Sequence, residues 1–112
     1  MRVWDIEPKY LSRNHLLGEH RELHAIWIYL TTEKGGSYRK HPETLRWVGK
    51  LPALYSRHEK LIEEFSNRGY KHHSDLQLMN GSAVQNEFIN TIDEQKQLLL
   101  KKDPDWYVQW CW

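Results

Sequence analysis

Several chemically versatile side chains lie close together near the start of the chain. On an α-helix, residues three, four or seven positions apart share a face. His15, Glu19 and Glu22 would then lie on one face, and Gly18 on that face leaves room for a close approach. Arg21 would lie roughly a third of a turn away. A carboxylate flanked by a histidine and an arginine is a candidate acid–base centre, although the pattern also fits a solvated face with ion pairs.

Two histidines in the same region could instead bind a metal ion. His20 and His24 are four residues apart and could chelate zinc from one helix. In the zinc-protease motif a glutamate directly follows the first histidine, whereas Arg21 stands there in this chain. No further Cys or His set follows at ligand spacing, since the adjacent His72 and His73 would point in two directions on most backbones. We therefore expect no metal.

The elements that would position these residues are helical. Apolar residues recur at helical spacing in three long segments, residues 12–32, 52–67 and about 85–102. Ser12 or Asn14 can cap the first helix. Gly69 stands at the C-cap position of the second, and Pro104 stops the third. We therefore predict an all-α fold of three main helices, with residues 1–112 forming a single domain.

The end of the chain is rich in aromatic residues. Three of the six tryptophans fall within residues 106–112. Exposed together, these side chains would form a patch that favours association. We expect this aromatic C-terminal tail to pack on the long helices, near Trp4 and Trp27, and to bring the two chain ends together. A surface that stacks on bases is the alternative.

Composition limits the classes of protein that this chain can belong to. The 112 residues carry a net charge of +1 and a single cysteine, Cys111. No apolar run reaches the ~18 residues of a membrane span, and we see no signal peptide. One cysteine fits a reducing compartment. We therefore expect a monomer in the cytoplasm that does not contact membranes.

The near-neutral charge hides an asymmetry along the chain. Residues 1–60 carry eleven Lys and Arg against seven Asp and Glu, whereas residues 61–112 carry five against eight. Segment 34–60 is the most basic, with seven basic and two acidic residues. An excess of basic residues in the first half of a near-neutral protein fits a local binding site for a polyanion. Small domains also often show such an uneven charge distribution by chance.

Several blocks of the sequence resemble the pyrimidine-dimer DNA glycosylases, the family of the phage endonuclease V. The blocks are Met1–Arg2, Leu11–Leu23, Leu54–Glu63, Asn67–Tyr70 and Asp103–Tyr107. They span nearly the whole chain. The run Lys40–Trp47 looks more like the bacterial branch than the phage one.

The resemblance implies a specific chemistry for the N-terminus. In that family the α-amino group of the first residue attacks C1′ of the damaged nucleotide, expels the base and forms a Schiff base with the opened sugar. β-Elimination then cuts the strand. Met1 would supply the amine, whose ordinary pKa of ~7.7–8 leaves a useful neutral fraction at physiological pH. The chain would thus be a DNA glycosylase with AP lyase activity on UV-induced cyclobutane pyrimidine dimers in double-stranded DNA, near the nucleoid and without a cofactor.

The resemblance also assigns roles to individual residues. Glu22 maps to the key carboxylate, which would assist ring opening, stabilise positive charge at C1′ and shuttle protons. Arg2 and Arg21 map to arginines that contact DNA near the lesion, and His15 maps to a histidine beside the site. Asn14 stands where the phage enzyme has a glutamine.

Two departures from the phage pattern affect the expected activity. Arg2 is bulky, so we expect Met1 to be retained, and the 21 positions from Met1 to Glu22 match the family's interval. Ala25 stands where the phage enzyme has an arginine, which leaves the damage specificity open. Two alternatives remain open. The first is a glycosylase or AP lyase of the same fold that acts on another lesion, and the second is a non-catalytic DNA-binding helical module.

Overall fold

The three long helices lie in the three segments where apolar residues recur at helical spacing. The computed structural model of the chain describes residues 2–72 and 74–112. The long helices are α1 (Arg13–Thr31), α3 (Leu51–Asn67) and α4 (Ile92–Lys102), and the short ones are α2 (Pro42–Leu45) and α5 (Pro104–Tyr107). Short 3-10 helices cover Pro8–Tyr10, Gly36–Lys40 and Val108–Trp110. The described residues contain no strand, so the all-α prediction is confirmed.

The ends of α1 and α3 follow local sequence signals. The Ser12 hydroxyl accepts a hydrogen bond from the backbone N–H of His15 and caps α1. After α3, Gly69 adopts φ +77°, a left-handed conformation that costs glycine little. This lets Tyr70 N–H donate to the Phe65 carbonyl oxygen at 2.8 Å, which closes the helix. Both predicted boundaries are confirmed.

The predicted start of the third long helix is wrong. The helix begins at Ile92 rather than near Gln85, because Thr91 and Glu94 form a capping box that starts it there. The preceding segment is held in another conformation, with the Gln85 amide donating to the Arg46 carbonyl oxygen at 2.7 Å. Tertiary hydrogen bonds thus override the helical apolar spacing of residues 85–91.

One hydrophobic cluster joins the helices to both ends of the chain. Its most deeply buried members are Val3, Leu11, Leu16, Leu23, Ile26, Leu54, Leu61, Leu99 and Tyr107. They come from the N-terminal segment, α1, α3, α4 and α5. Among the described residues, no helix is both long enough and apolar enough to span a bilayer.

The N-terminal segment is anchored although it has no helical or strand structure at residues 3–6. Four side chains from different parts of the fold bind its backbone. Glu19 accepts from Trp4 N–H (3.0 Å), Gln95 accepts from Asp5 N–H (2.8 Å), Arg46 donates to the Val3 carbonyl (2.9 Å) and Arg57 donates to the Ile6 carbonyl (2.8 Å). The start of the chain is therefore held by the helices around it.

The aromatic tail packs against the N-terminal part of the chain. Tyr107 is fully buried, and the Trp106 indole N–H donates to the Tyr10 carbonyl oxygen at 2.7 Å. The Trp110 ring meets the Tyr10 ring edge-on, with centroids 4.9 Å apart. The expected packing of the tail on the rest of the fold is confirmed, with Tyr10 as its contact in the N-terminal part of the chain. The ring partners differ from the expected tryptophans, because the chain turns at Pro104 onto the residues that precede α1.

Candidate active site

A cleft of about 210 Å³ opens on the predicted face of α1. It is lined by Arg2, Trp4, Asn14, His15, Gly18, Glu19, Glu22 and Lys102. The structure thus brings together four residues that the sequence analysis placed in one site, namely Arg2, Asn14, His15 and Glu22. Met1, the expected nucleophile, lies outside the described residues.

Gly18 leaves the middle of the cleft open. A Cβ atom built on Gly18 would meet only the Arg21 Nη2 atom, at 3.9 Å. Arg21 itself does not line the cleft and is exposed. Its guanidinium group nevertheless reaches back toward Gly18, so a ligand that enters the cleft from solvent would pass close to it.

The two carboxylates on this face differ in their surroundings. The Glu19 side chain is fully buried and accepts from Arg57 Nε (2.6 Å), Arg57 Nη2 (2.9 Å) and Trp4 N–H (3.0 Å). Burial raises the pKa of Glu19, and the Arg57 guanidinium opposes that shift. The Glu22 side chain is partly exposed and makes no hydrogen bond or ion pair with the residues in the ranges 2–72 and 74–112. Glu19 therefore anchors the N-terminal segment, whereas the Glu22 carboxylate lines the cleft without a partner in the described part of the chain.

The His15 ring is fixed by the tail. Its Nδ1 atom lies 2.7 Å from the Tyr107 hydroxyl oxygen and 3.1 Å from the Ser12 hydroxyl oxygen. The His15 and Tyr107 rings also stack, with centroids 5.5 Å apart. Burial lowers the pKa of His15, which favours a neutral imidazole at pH 7. With Nδ1 engaged, Nε2 is the atom left for a ligand in the cleft.

Arg2 lines the cleft and is held by two contacts. Its guanidinium lies 4.7 Å from the Trp4 ring centroid, and Nη2 donates to the Asn90 side-chain oxygen at 2.7 Å. Asn14 is exposed at the rim. Lys102, at the end of α4, also lines the cleft. Sequence reasoning missed Lys102, because no local spacing relates the end of α4 to α1.

Part of the basic segment 34–60 is internal. Arg46 is buried and bonded to Glu43 (2.6 Å) and Asp5 (3.1 Å), and Arg57 is bonded to Glu19. These two arginines are unavailable to phosphate groups. The exposed basic residues of the segment are Lys34, Arg39, Lys40 and Lys60. The number of basic residues in segment 34–60 is therefore larger than the number that is exposed on the surface.

Four histidines meet on the other side of α1. His20 and His24 each lie two residues from Glu22, about 200° around the helix. His58 from α3 and His72 from the segment after it join them, and one imidazole nitrogen of each lies within 4.8 Å of the others. Burial, together with the neighbouring imidazoles, lowers the pKa of His20 to about 4. Sequence reasoning missed this cluster, because His58 and His72 are remote from α1 in the chain.

The family assignment rests on a comparison with family models. The model described as pyrimidine dimer DNA glycosylase matches residues 1–78. This range covers the N-terminal segment, α1 and α3, and thus nearly all of the cleft, while Lys102 lies beyond it. Searches of curated proteins and of solved structures give no significant match. A family model that covers more than half of the chain is sufficient for assignment, and this chain belongs to the pyrimidine dimer DNA glycosylase family.

Proposed function

We propose that this protein, acting as a single domain, excises UV-induced cyclobutane pyrimidine dimers and then cuts the DNA strand by β-elimination. The reaction would use the α-amine of Met1 as nucleophile and Glu22 as the acid–base group. Membership of the family supports the glycosylase activity, and the strand-cutting step and the covalent intermediate are our inference.

The observation that carries the proposal is the anchoring of the N-terminal segment beside the cleft. An amine nucleophile must approach C1′ to within ~3–3.5 Å in a fixed direction. Residues 3–6 are bound by side chains from α1, α3, α4 and the turn after α2. Arg2, the residue next to Met1 in the sequence, lines the cleft together with Glu22. This anchoring would hold the N-terminal amine in a fixed position, as its role as nucleophile requires.

The chemistry assigns a task to each group in the cleft. The Met1 amine would attack C1′, and the bond from C1′ to the base would break with its electron pair leaving on the base. Glu22 would accept the amine proton and return it to the sugar ring oxygen as the ring opens, which leaves an imine at C1′. Glu22, again a carboxylate after that transfer, would then take a proton from C2′. The electrons of that bond form a C2′=C3′ double bond, the C3′–O bond breaks, and the 3′ phosphate leaves with the strand cut. Arg2, Arg21, Asn14 and His15 would bind the DNA around the lesion.

Recognition of the lesion would depend partly on how easily the DNA duplex deforms there. A pyrimidine dimer already weakens stacking, so extruding a nucleotide there costs less than in intact duplex. The exposed Arg21 and the lysines of segment 34–60 would contact phosphates while the duplex bends over the cleft.

Borohydride trapping tests the enzyme proposal. The protein is mixed with a duplex that carries one cyclobutane dimer, with a matched abasic duplex and with undamaged DNA, in the presence of borohydride. We expect a covalent protein–DNA adduct with the first two only. An adduct with the abasic duplex alone would indicate an AP lyase for another lesion, and no adduct with retained binding would indicate a DNA-binding module.

Replacing Arg21 by alanine is expected to weaken DNA binding. If Arg21 contacts one phosphate, the slope of log K against log salt should flatten by about 0.9. Binding isotherms at several salt concentrations measure this slope. Lys71→Ala is the matched control, because exposed Lys71 adjoins His72 on the far side of α1. An unchanged slope with Arg21→Ala would show that Arg21 does not contact a phosphate.

Deleting residues 106–112 should lower thermal stability and excision activity together. The deletion removes the fully buried Tyr107, and losing a large buried aromatic side chain typically costs ~3–5 kcal/mol. It also removes the hydroxyl group that fixes His15. Calorimetry and a dimer-excision assay measure the two effects. A truncated protein that melts normally but no longer binds DNA would instead show that the tail is a stacking surface.

A further inference from the structure

The histidine cluster on the far side of α1 has a geometry that a metal ion requires. The Nε2 atoms of His20, His24 and His58 form a triangle with edges of 3.1 Å, 3.2 Å and 3.3 Å. Their ring centroids are 4.5 to 5.1 Å apart, so the nitrogen tips converge. A tetrahedral zinc ion with Zn–N bonds of 2.0–2.1 Å places its nitrogen ligands about 3.3 Å apart.

Hydrogen bonds among the three rings do not account for this arrangement. His58 Nδ1 lies 3.0 Å from the Glu59 carboxylate, which as an anion can only accept. The His58 Nδ1 atom therefore donates to Glu59. Each of the three Nε2 atoms either carries a proton or presents a lone pair, so at most two of the three contacts can be hydrogen bonds, and at least one brings two nitrogens together without one.

The imidazole of His72 provides an independent observation that points to a bound cation. His72 has a side chain that is only 10% exposed, and its Nε2 atom is buried without a hydrogen-bond partner in the described part of the chain. Its ring centroid lies 5.0 Å from that of His20 and 5.2 Å from that of His58. Burying a polar atom without a hydrogen-bond partner is unfavourable. A cation between the four rings would give this nitrogen a partner.

The surroundings of the cluster resemble the shell of a metal site. The carboxylate of Glu59 behind His58 fixes the tautomer that presents Nε2, as carboxylates commonly do for zinc-bound histidines. The buried Phe65 ring packs edge-on against His20, with centroids 5.0 Å apart, and shields the cluster from solvent on that side.

We propose that His20, His24, His58 and His72 form a binding site for a divalent transition-metal ion, with zinc as the favoured ion. Imidazole nitrogens suit zinc, copper, nickel and iron, and the nitrogen spacing of 3.1–3.3 Å, which matches a tetrahedral site, favours Zn²⁺ among them. The ion would tie α1 and α3 to the segment that follows α3, so its role is to stabilise the fold. This proposal replaces the expectation of no metal, and it does not depend on the proposed DNA chemistry, since the cleft lies on the opposite side of α1.

The test measures metal content and stability on protein prepared without a histidine tag. After dialysis against a chelator, the protein is titrated with Zn²⁺ or Co²⁺. We expect one ion per chain, the intense visible absorption of tetrahedral Co²⁺, and a melting temperature that rises with added Zn²⁺. No binding of either ion would overturn the proposal.

Variants locate the site. His24→Gln and His72→Gln should each lower the affinity for Zn²⁺, and Glu59→Gln should lower it about 10- to 100-fold. His41→Asn is the matched control, because His41 caps α2 and asparagine is also a good capping residue. Unchanged affinity in both ligand variants, or loss of the metal in His41→Asn, would contradict the assignment. If His24→Gln does not fold, two other measurements test the site. One is the Zn²⁺ affinity of His72→Gln, which changes no helical residue, and the other is the Co²⁺ spectrum of the unaltered protein.

Discussion

Extending the chain by a single residue before Met1 is expected to abolish both base excision and strand cleavage. The added residue moves the α-amine by about 3.8 Å along the chain, whereas a nucleophile needs an approach of ~3–3.5 Å. The anchoring of residues 3–6 gives the segment little freedom to compensate. Single-turnover assays on a dimer-containing duplex measure the loss.

As a control, the added N-terminal extension is removed to restore the original α-amine. A protease-cleavable extension that restores activity once it is cut off would show that the fold was intact throughout. Lys102 is the competing amine, since it lines the same cleft. Lys102→Met should still form a borohydride-trapped adduct, and mass spectrometry should place that adduct on Met1. An adduct on Lys102 would refute the role of the N-terminus.

Glu22→Gln is expected to slow base excision by ~10²–10⁴-fold while DNA binding is retained. The substitution keeps the shape of the side chain and removes its capacity to exchange a proton. Glu22 is the cleft carboxylate without a partner in the described chain, so its loss breaks no internal contact. Excision rates and binding isotherms on the same duplex separate the two effects.

Two other glutamates serve as references for this experiment. Glu33→Gln removes an exposed carboxylate beyond the end of α1 and should leave excision unchanged. Glu19→Gln should instead destabilise the protein, by about 3–5 kcal/mol, because it leaves Arg57 largely buried without its ionic partner. Near-normal excision by Glu22→Gln would remove that residue from the mechanism.

Local signals in the sequence were sufficient for two of the three long helices. The Ser12 cap and the glycine at position 69 act within a few residues of the helix ends that they define, so they can be recognised without the fold. The start of α4 was predicted too early. Phe88 fitted the helical spacing, but it is half exposed in a segment held by contacts with Arg46.

The sequence by itself determined the family resemblance and the face of α1 that carries His15, Gly18 and Glu22. Helix periodicity is a local property, so the side chains that share this face follow from spacing alone. Only the tertiary structure distinguished Glu19, which is paired, from Glu22, which has no side-chain partner among the described residues, because Arg57 approaches Glu19 from another helix. The same holds for the cluster of four histidines. Its members are brought together by the packing of α3 and the following segment on α1, and residue spacing carries no signal for contacts between distant parts of a chain.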